Sequence, residues 1–211
     1  LKGPQGTLYG SGSLAGTVRN IPVAPKIDDF EGRISIGLSD TNGTGDMNSE
    51  VKGVLNLPLV DDRLAMRLVA YRYENDGYID NIAGSDSQTV ANALSVNASH
   101  LAVDEDDVGA SGYDGFRIST LFQVTEDLSV SLSYLNQDLE QQGLPESNLD
   151  LGRFKQARLR LGDVIGGRER LANGIEVVNF HIEYDLSWAS LISSSSWLEE
   201  ELHRHRDIGS F

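Results

Sequence analysis

Leu128-Ser129-Val130-Ser131-Leu132-Ser133-Tyr134 decides the class of this chain. Every second residue is apolar and every residue between is serine. Successive side chains of a strand point to opposite faces, so this run lays an oily row and a hydroxyl row along one extended segment. A helix would scatter both kinds around its circumference. Outward from it the same period recurs. Phe116, Ile118, Thr120, Phe122 and Val124 alternate with Arg117, Ser119, Leu121 and Gln123; Leu64, Met66, Leu68 and Ala70 alternate with Ala65, Arg67, Val69 and Tyr71. Val178, Phe180, Ile182 and Tyr184 alternate with Val177, Asn179, His181 and Glu183. Weaker versions cover residues 30–39 and 51–59. A seventh covers 188–198, where Ser193 to Ser196 leave its facing open. The expected class is all-β and antiparallel.

The connections carry a second pattern. Val60-Asp61-Asp62, Thr125-Glu126-Asp127 and Asp185-Leu186-Ser187 are short acidic turns, whereas residues 74–112 and 139–174 are long connections between them. Strands of roughly ten residues, with short turns at one end and long loops at the other, are the pattern of a transmembrane β-barrel. Any antiparallel sheet with one wet face also alternates, so a secreted or surface β-sandwich ligand-binding module is the alternative. Tyr71, Tyr73, Tyr134, Tyr184 and Trp188 fall near expected strand ends, where membrane barrels carry aromatic girdles. Seven strands leave unpaired edges at both sides, so the chain is expected to be an interior piece of a larger barrel.

Composition narrows the classes further. Among 211 residues, 17 Lys and Arg stand against 32 Asp and Glu, a formal charge of −15 that argues against nucleic acid as a partner. Cysteine is absent, which excludes disulfides, thiolate metal sites and a cysteine nucleophile. Uncharged apolar runs such as Leu68-Val69-Ala70-Tyr71 are far shorter than the ~20 residues of a spanning helix. Membrane helices are thereby excluded, and membrane strands are not.

The opening residues LKGPQGTLYGSGSLAGTVRN place Gly3, Gly6, Gly10, Gly12 and Gly16 between short apolar pieces, so several tight turns with positive φ and no helix are expected there. Gly10-x-Gly12-x-x-Ala15 nominally fits a dinucleotide fingerprint, but the two prolines in the stretch that follows offer no helix to carry a phosphate. The segments Lys2-Gly3-Pro4-Gln5-Gly6-Thr7-Leu8-Tyr9-Gly10 and Gly16-Thr17-Val18-Arg19-Asn20 resemble the late plug domain of TonB-dependent outer-membrane receptors. Residues 56–65, Gly77-Tyr78-Ile79-Asp80-Asn81 and 128–138 are similar to early barrel strands and loops of that family. The resemblance implies the end of a plug over residues 1–27, with Gly3, Gly6, Gly10 and Gly16 as its turn residues. It implies the first strands of a plugged barrel of about 22 strands over 28–211. It further implies location in the outer membrane, with short turns in the periplasm and long loops outside. Uptake of a scarce large solute such as a ferric siderophore would be energised by the TonB complex. The TonB-contacting box and about two thirds of the barrel strands have no counterpart in these residues.

Few residues offer chemistry. His203-x-His205 beside Glu199, Glu200 and Glu201 has ligand-like spacing, but a metal needs three or four converging ligands, and no metal or cofactor is expected. Residues 40–46 open like a calcium loop, yet Val51 stands where the bidentate Glu belongs. No pair of carboxylates is fixed across a cleft as a glycosidase requires, so binding and gated passage, not catalysis, are expected. The loops differ in charge. Residues 74–112 hold eight acidic side chains and no Lys or Arg, whereas Arg153, Lys155, Arg158 and Arg160 cluster in the next loop. That basic cluster is the candidate ligand-binding site, placed to attract an anionic ferric chelate. Residues 149–161 could also form a short loop helix. The apolar rows are expected to face lipid, and the rows with Arg67, Arg117, Gln123 and His181 to face the lumen or plug.

Overall fold

The computed structural model describes residues 2–3, 6–9, 15–16, 21–42, 45–160 and 169–205. Strands β1 (Glu31–Ser39), β2 (Asn48–Val60), β3 (Leu64–Asn75), β4 (Ile79–Ile82), β5 (Asp104–Val108), β6 (Ser111–Gln123), β7 (Leu128–Gln142), β8 (Lys155–Gln156), β9 (Arg170–Leu186) and β10 (Ala189–His205) follow one another along the chain. Seven of them form one antiparallel sheet in the order β1-β2-β3-β6-β7-β9-β10. All seven strands expected from the alternation are present, so the class is all-β and antiparallel. The sheet is open: among the described residues β1 pairs only with β2, and β10 only with β9.

Neighbours in sequence are neighbours in the sheet because the acidic turns are too short for anything else. Asp62 adopts φ 56°, and Arg63 N–H donates to the Val60 carbonyl at 3.1 Å to close the β2–β3 turn. Thr125 closes the β6–β7 turn, its hydroxyl accepting from Leu128 N–H at 3.1 Å. These two turns and the β9–β10 turn lie at one end of the sheet, and residues 40–47, 76–110 and 143–169 connect strands at the other. β7, β9 and β10 run well past their expected limits toward that second end. Their extra residues are polar on the side of Phe116 and Leu132, as Asp138, Glu140, Glu176 and Glu199 are, while Leu135, Leu139, Leu171 and Leu202 fall on the other side, so the hydropathy pattern changes while backbone pairing continues.

The register sorts the side chains into two faces. On one, Ile34, Gly53, Ala70 and Phe116 lie in a cross-strand row, as do Leu55, Leu68, Ile118, Tyr134 and Val178. Toward the long loops this apolar band ends within one row: on β7, β9 and β10 the row of Phe116 continues as Asn136, Glu176 and Glu199, and Arg72, Asp114 and Asp138 stand in the row beyond. Phe116 and Tyr134 pack at that border with ring centroids 5.7 Å apart, and Phe122 and Tyr184 mark the other border. Tyr71 and Tyr73, expected to join such a girdle, stand instead on the opposite face in register with Lys52 and Glu50. The odd positions of β3 belong to the row of Arg67, and nearness to a strand end says nothing about side.

The opposite face carries Asn56, Arg67, Ser119, Ser133, Asn179 and their neighbours. Here coverage is inverted relative to a sheet in water. Asn56 and Arg67 are 0% and 7% exposed, whereas Ile34, Leu132 and Phe180 on the apolar face are 79%, 49% and 42% exposed.

The two long connections fold on one another. β4, β5 and β8 form a small sheet in the order β5-β4-β8, and α2 (Ser87–Ser95) packs Ala93 against Leu101 and Leu159. Residues 149–161 hold no helix among those described; turns at 149–151 lead into β8. The helix lies in the other loop, where Asp86 caps it and Thr89 and Ala93, four apart, supply its buried side. The acidic run Asp104 to Asp107 is strand rather than loop. Gly77 permits its approach, since a Cβ there would overlap the Asp107 carbonyl.

Near the start of the chain, Gly3 (φ 82°) and Gly16 (φ 142°) adopt the positive φ expected of them. Gly3 N–H donates to the Ala15 carbonyl at 3.2 Å, and Lys2 bridges Gly16. Gly6 instead opens a single helical turn, α1 (Gly6–Tyr9), correcting the expectation of no helix there: four residues need no sustained period. Gly10 lies outside the described residues.

Candidate functional site

The residues before β1 cross the polar face as a strap. Asn56 sits in the aliphatic run of β2 with its side chain turned to that face. Its Oδ1 accepts from Lys26 N–H at 3.0 Å, and its Nδ2 donates to the carbonyls of Lys26 at 2.9 Å and Asp29 at 2.6 Å. From β3, Arg67 Nη1 meets Glu31 Oε2 at 3.2 Å, and Lys26 Nζ lies 3.8 Å from the same oxygen. From β6, Arg117 Nη2 donates to the Val23 carbonyl at 2.8 Å. Asn56 and Arg117 thus hold the strap itself, and Arg67 holds Glu31, the first residue of β1, to which the strap leads. The sequence marked Arg67 and Arg117 as belonging to the covered row; it did not single out Asn56, whose signal is a lone amide inside Val54-Leu55-Asn56-Leu57.

Between the strap and the long-loop end, the same face carries three tyrosines. Tyr73 and Tyr113 stack across β3 and β6 with centroids 4.6 Å apart and planes 17° apart, and Tyr71 lies edge-on to Tyr113 at 6.5 Å. The Tyr71 hydroxyl reaches past β6 to donate to Gln137 Oε1 of β7 at 2.6 Å. Gly115 makes that reach possible: a Cβ there would stand 2.8 Å from the Tyr71 oxygen and 2.7 Å from the Asn136 carbonyl. Two strands along from Tyr113, Asn173 donates to Glu200 at 3.2 Å, while its buried Oδ1 has no hydrogen-bond partner among the described residues.

The basic cluster is built differently from a free cationic patch. Arg158 is largely buried between Glu169 at 2.7 Å and Glu146 at 2.9 Å. Arg160 pairs with Glu105 of the other loop at 3.1 Å. Arg153 lies over the Phe154 ring at 4.8 Å, and that ring meets Tyr78 edge-on at 5.8 Å. Lys155 belongs to β8, in parallel register with Asp80 of β4. The buried Asn81 completes the join, donating to the Arg158 carbonyl at 3.0 Å and accepting from Arg158 N–H at 2.8 Å. The Arg158 side chain therefore ties its own loop together, while its backbone, through Asn81, and Arg160, through Glu105, fasten one loop to the other.

Carboxylates dominate the long-loop end. An open cavity of about 890 Å3 there is lined by Glu74, Asp114, Asp138, Glu140 and Glu201, which by register stand on the side of the bare face, and by Tyr73, Tyr113 and Asn173 of the polar face. Arg72 is paired with Glu74 at 2.5 Å, and His203 Nε2 lies 2.8 Å from Glu201 Oε1. The Ser85 hydroxyl, then the Ser85 and Gly84 N–H groups, hold the Asp104 carboxyl below its ordinary range against the opposing effect of desolvation. The Thr89 hydroxyl, then its N–H, do the same for Asp86. No cluster of three or more His, Asp or Glu able to hold a metal occurs among the described residues. No described helix is long and apolar enough to cross a membrane.

No protein-family model matches the chain, and neither a curated protein nor a solved structure matches it.

Proposed function

We propose that this chain is the end of the plug and the start of the barrel of a TonB-dependent outer-membrane receptor, which binds a large solute and passes it inward by gated movement. One observation carries the proposal: the sheet leaves its apolar face bare and covers its polar face. In water, each exposed Leu, Ile or Phe of that face forgoes about 1.5–3 kcal/mol of burial. A patch of this extent marks a surface made for membrane or protein. Hydrocarbon suits the details. The band spans four outward positions per strand, roughly 20 Å along the strand, comparable with the ~25 Å apolar belt of membrane barrels. Aromatic rings stand at both borders, charge begins in the Phe116 row on β9 and β10 and in the next row on β3, β6 and β7, and short turns and long loops occupy opposite ends. The strap supports the polar face as the lumen, because the chain leaving a plug must run along the inner wall. Lipid, the TonB complex and the solute are the partners that follow.

The absence of native cysteine makes the test direct. Leu68→Cys, Leu132→Cys and Leu149→Cys are made singly in the protein in its native membrane. The first two are expected to resist a water-soluble maleimide and to react with a lipid-dissolved photoreagent, whereas Leu149→Cys reacts with the maleimide. Rapid maleimide labelling at Leu68→Cys and Leu132→Cys would overturn the assignment. Silence toward both reagents would indicate a second protein layer, as in a β-sandwich.

A further inference from the structure

We propose that the solute is a neutral, polyhydroxylated molecule of the oligosaccharide class, and that Tyr71, Tyr73 and Tyr113 form its platform on the polar face. This rests on the receptor assignment and names the solute class for it. The expectation of an anionic chelate drew on four loop cations. In the folded chain Arg158 and Arg160 are held by Glu146, Glu169 and Glu105, and Arg153 lies over Phe154. Lys155 is left in register with Asp80, and the chain as a whole carries a formal charge of −15, a field that opposes the approach of an anion.

The chemistry on the polar face agrees. Three rings supply apolar surface, and their neighbours Gln137 and Asn173 supply amide groups, which accept and donate without net charge. Lys52 and Glu50, the charged residues in register with Tyr71 and Tyr73, are one of each sign. Apolar rings with a few placed neutral polar groups are how sites bind ligands with both C–H and O–H surface. The platform stands between the strap and the long loops, where a solute admitted by the loops would meet it before reaching the plug.

The test uses the intact receptor purified in detergent, titrated calorimetrically with neutral gluco-, manno-, galacto- and xylo-oligosaccharides and with a ferric tris-catecholate as the anionic arm. At least one neutral series is expected to bind and the ferric complex not to. Tyr73→Ala and Tyr113→Ala should each weaken binding roughly tenfold, and Tyr113→Phe should leave it nearly unchanged. Where an alanine variant loses its fold, judged by loss of heat-modifiable migration in SDS, Tyr73→Leu or Tyr113→Leu replaces it and the same loss of affinity is expected. Binding of the ferric complex in preference to every sugar, failure of all four series, or affinity indifferent to the folded Ala and Leu variants would overturn the proposal. A parent protein that forms no detergent-stable barrel would instead overturn the receptor assignment.

Discussion

Leu132 and Ser131 are adjacent in β7 and opposite in consequence. Leu132 stands mid-band on the bare face, and Ser131 stands on the covered face opposite Leu121 and His181. With hydrocarbon outside, Leu132→Arg should cost about 2–4 kcal/mol of barrel stability, and Ser131→Arg well under about 1 kcal/mol. Urea titration of folding into lipid vesicles measures both, and equal tolerance would reverse the facing. Asn56 is the second informative residue. Asn56→Ala removes three hydrogen bonds and strands partly covered backbone groups of the strap, an effect of about 1–3 kcal/mol. Protease cleavage within residues 21–30 should accelerate while the seven-stranded sheet persists. Alternation alone marked which residues share a face with Arg67. That Asn56 is a clamp depends on where residues 26 and 29 lie, which no local pattern encodes.

At the scale of elements, the loop module depends on a few polar fasteners. Glu169 is slightly more buried than Arg158, so Arg158→Ala removes an ion-pair partner from a largely buried carboxylate and should loosen the module by about 3 kcal/mol. Protease sites within residues 143–169 should become accessible before those within 76–110, since the Asn81 bonds that join the two loops are to the Arg158 backbone, which the substitution keeps. Acid should act on the same module. The folded Asp86 and Asp104 carboxyls titrate below their unfolded range, so their contribution is fully present above about pH 4 and is lost as pH falls through the depressed values. Protection factors of α2 amides from hydrogen exchange should therefore hold between about pH 5 and 8 and fall below about pH 4. Asp86→Asn should remove much of that fall. The seven long strands were legible because two-residue hydropathy repeats are local. The α2 helix was less so: its cap and buried pair occupy few residues inside a polar loop, and its core partner Leu159 arrives from the next loop.

For the whole molecule, an open sheet with one bare apolar face is expected to require a bilayer or detergent. Trp188 and Trp197 are the two tryptophans, one in the β9–β10 turn and one beside the charged row at the opposite border. After insertion, bromines near the headgroup end of the acyl chains should quench both more strongly than bromines near the chain ends. Quenching that peaks at the bilayer centre would contradict the border positions. The high negative charge belongs mostly to the turns, loops and strand extensions.

The sequence by itself determined the strands, the sidedness of all but the last, the acidic turns and the segregation of short from long connections. All follow from forces acting within a few residues: pleat, hydropathy and turn stereochemistry. Tertiary structure alone decided that the polar side is the covered one, that Arg158 and Arg160 are consumed in fastening loops, and that three tyrosines from two strands share one platform. These are pairings between residues many positions apart, fixed by register and by charges meeting across space.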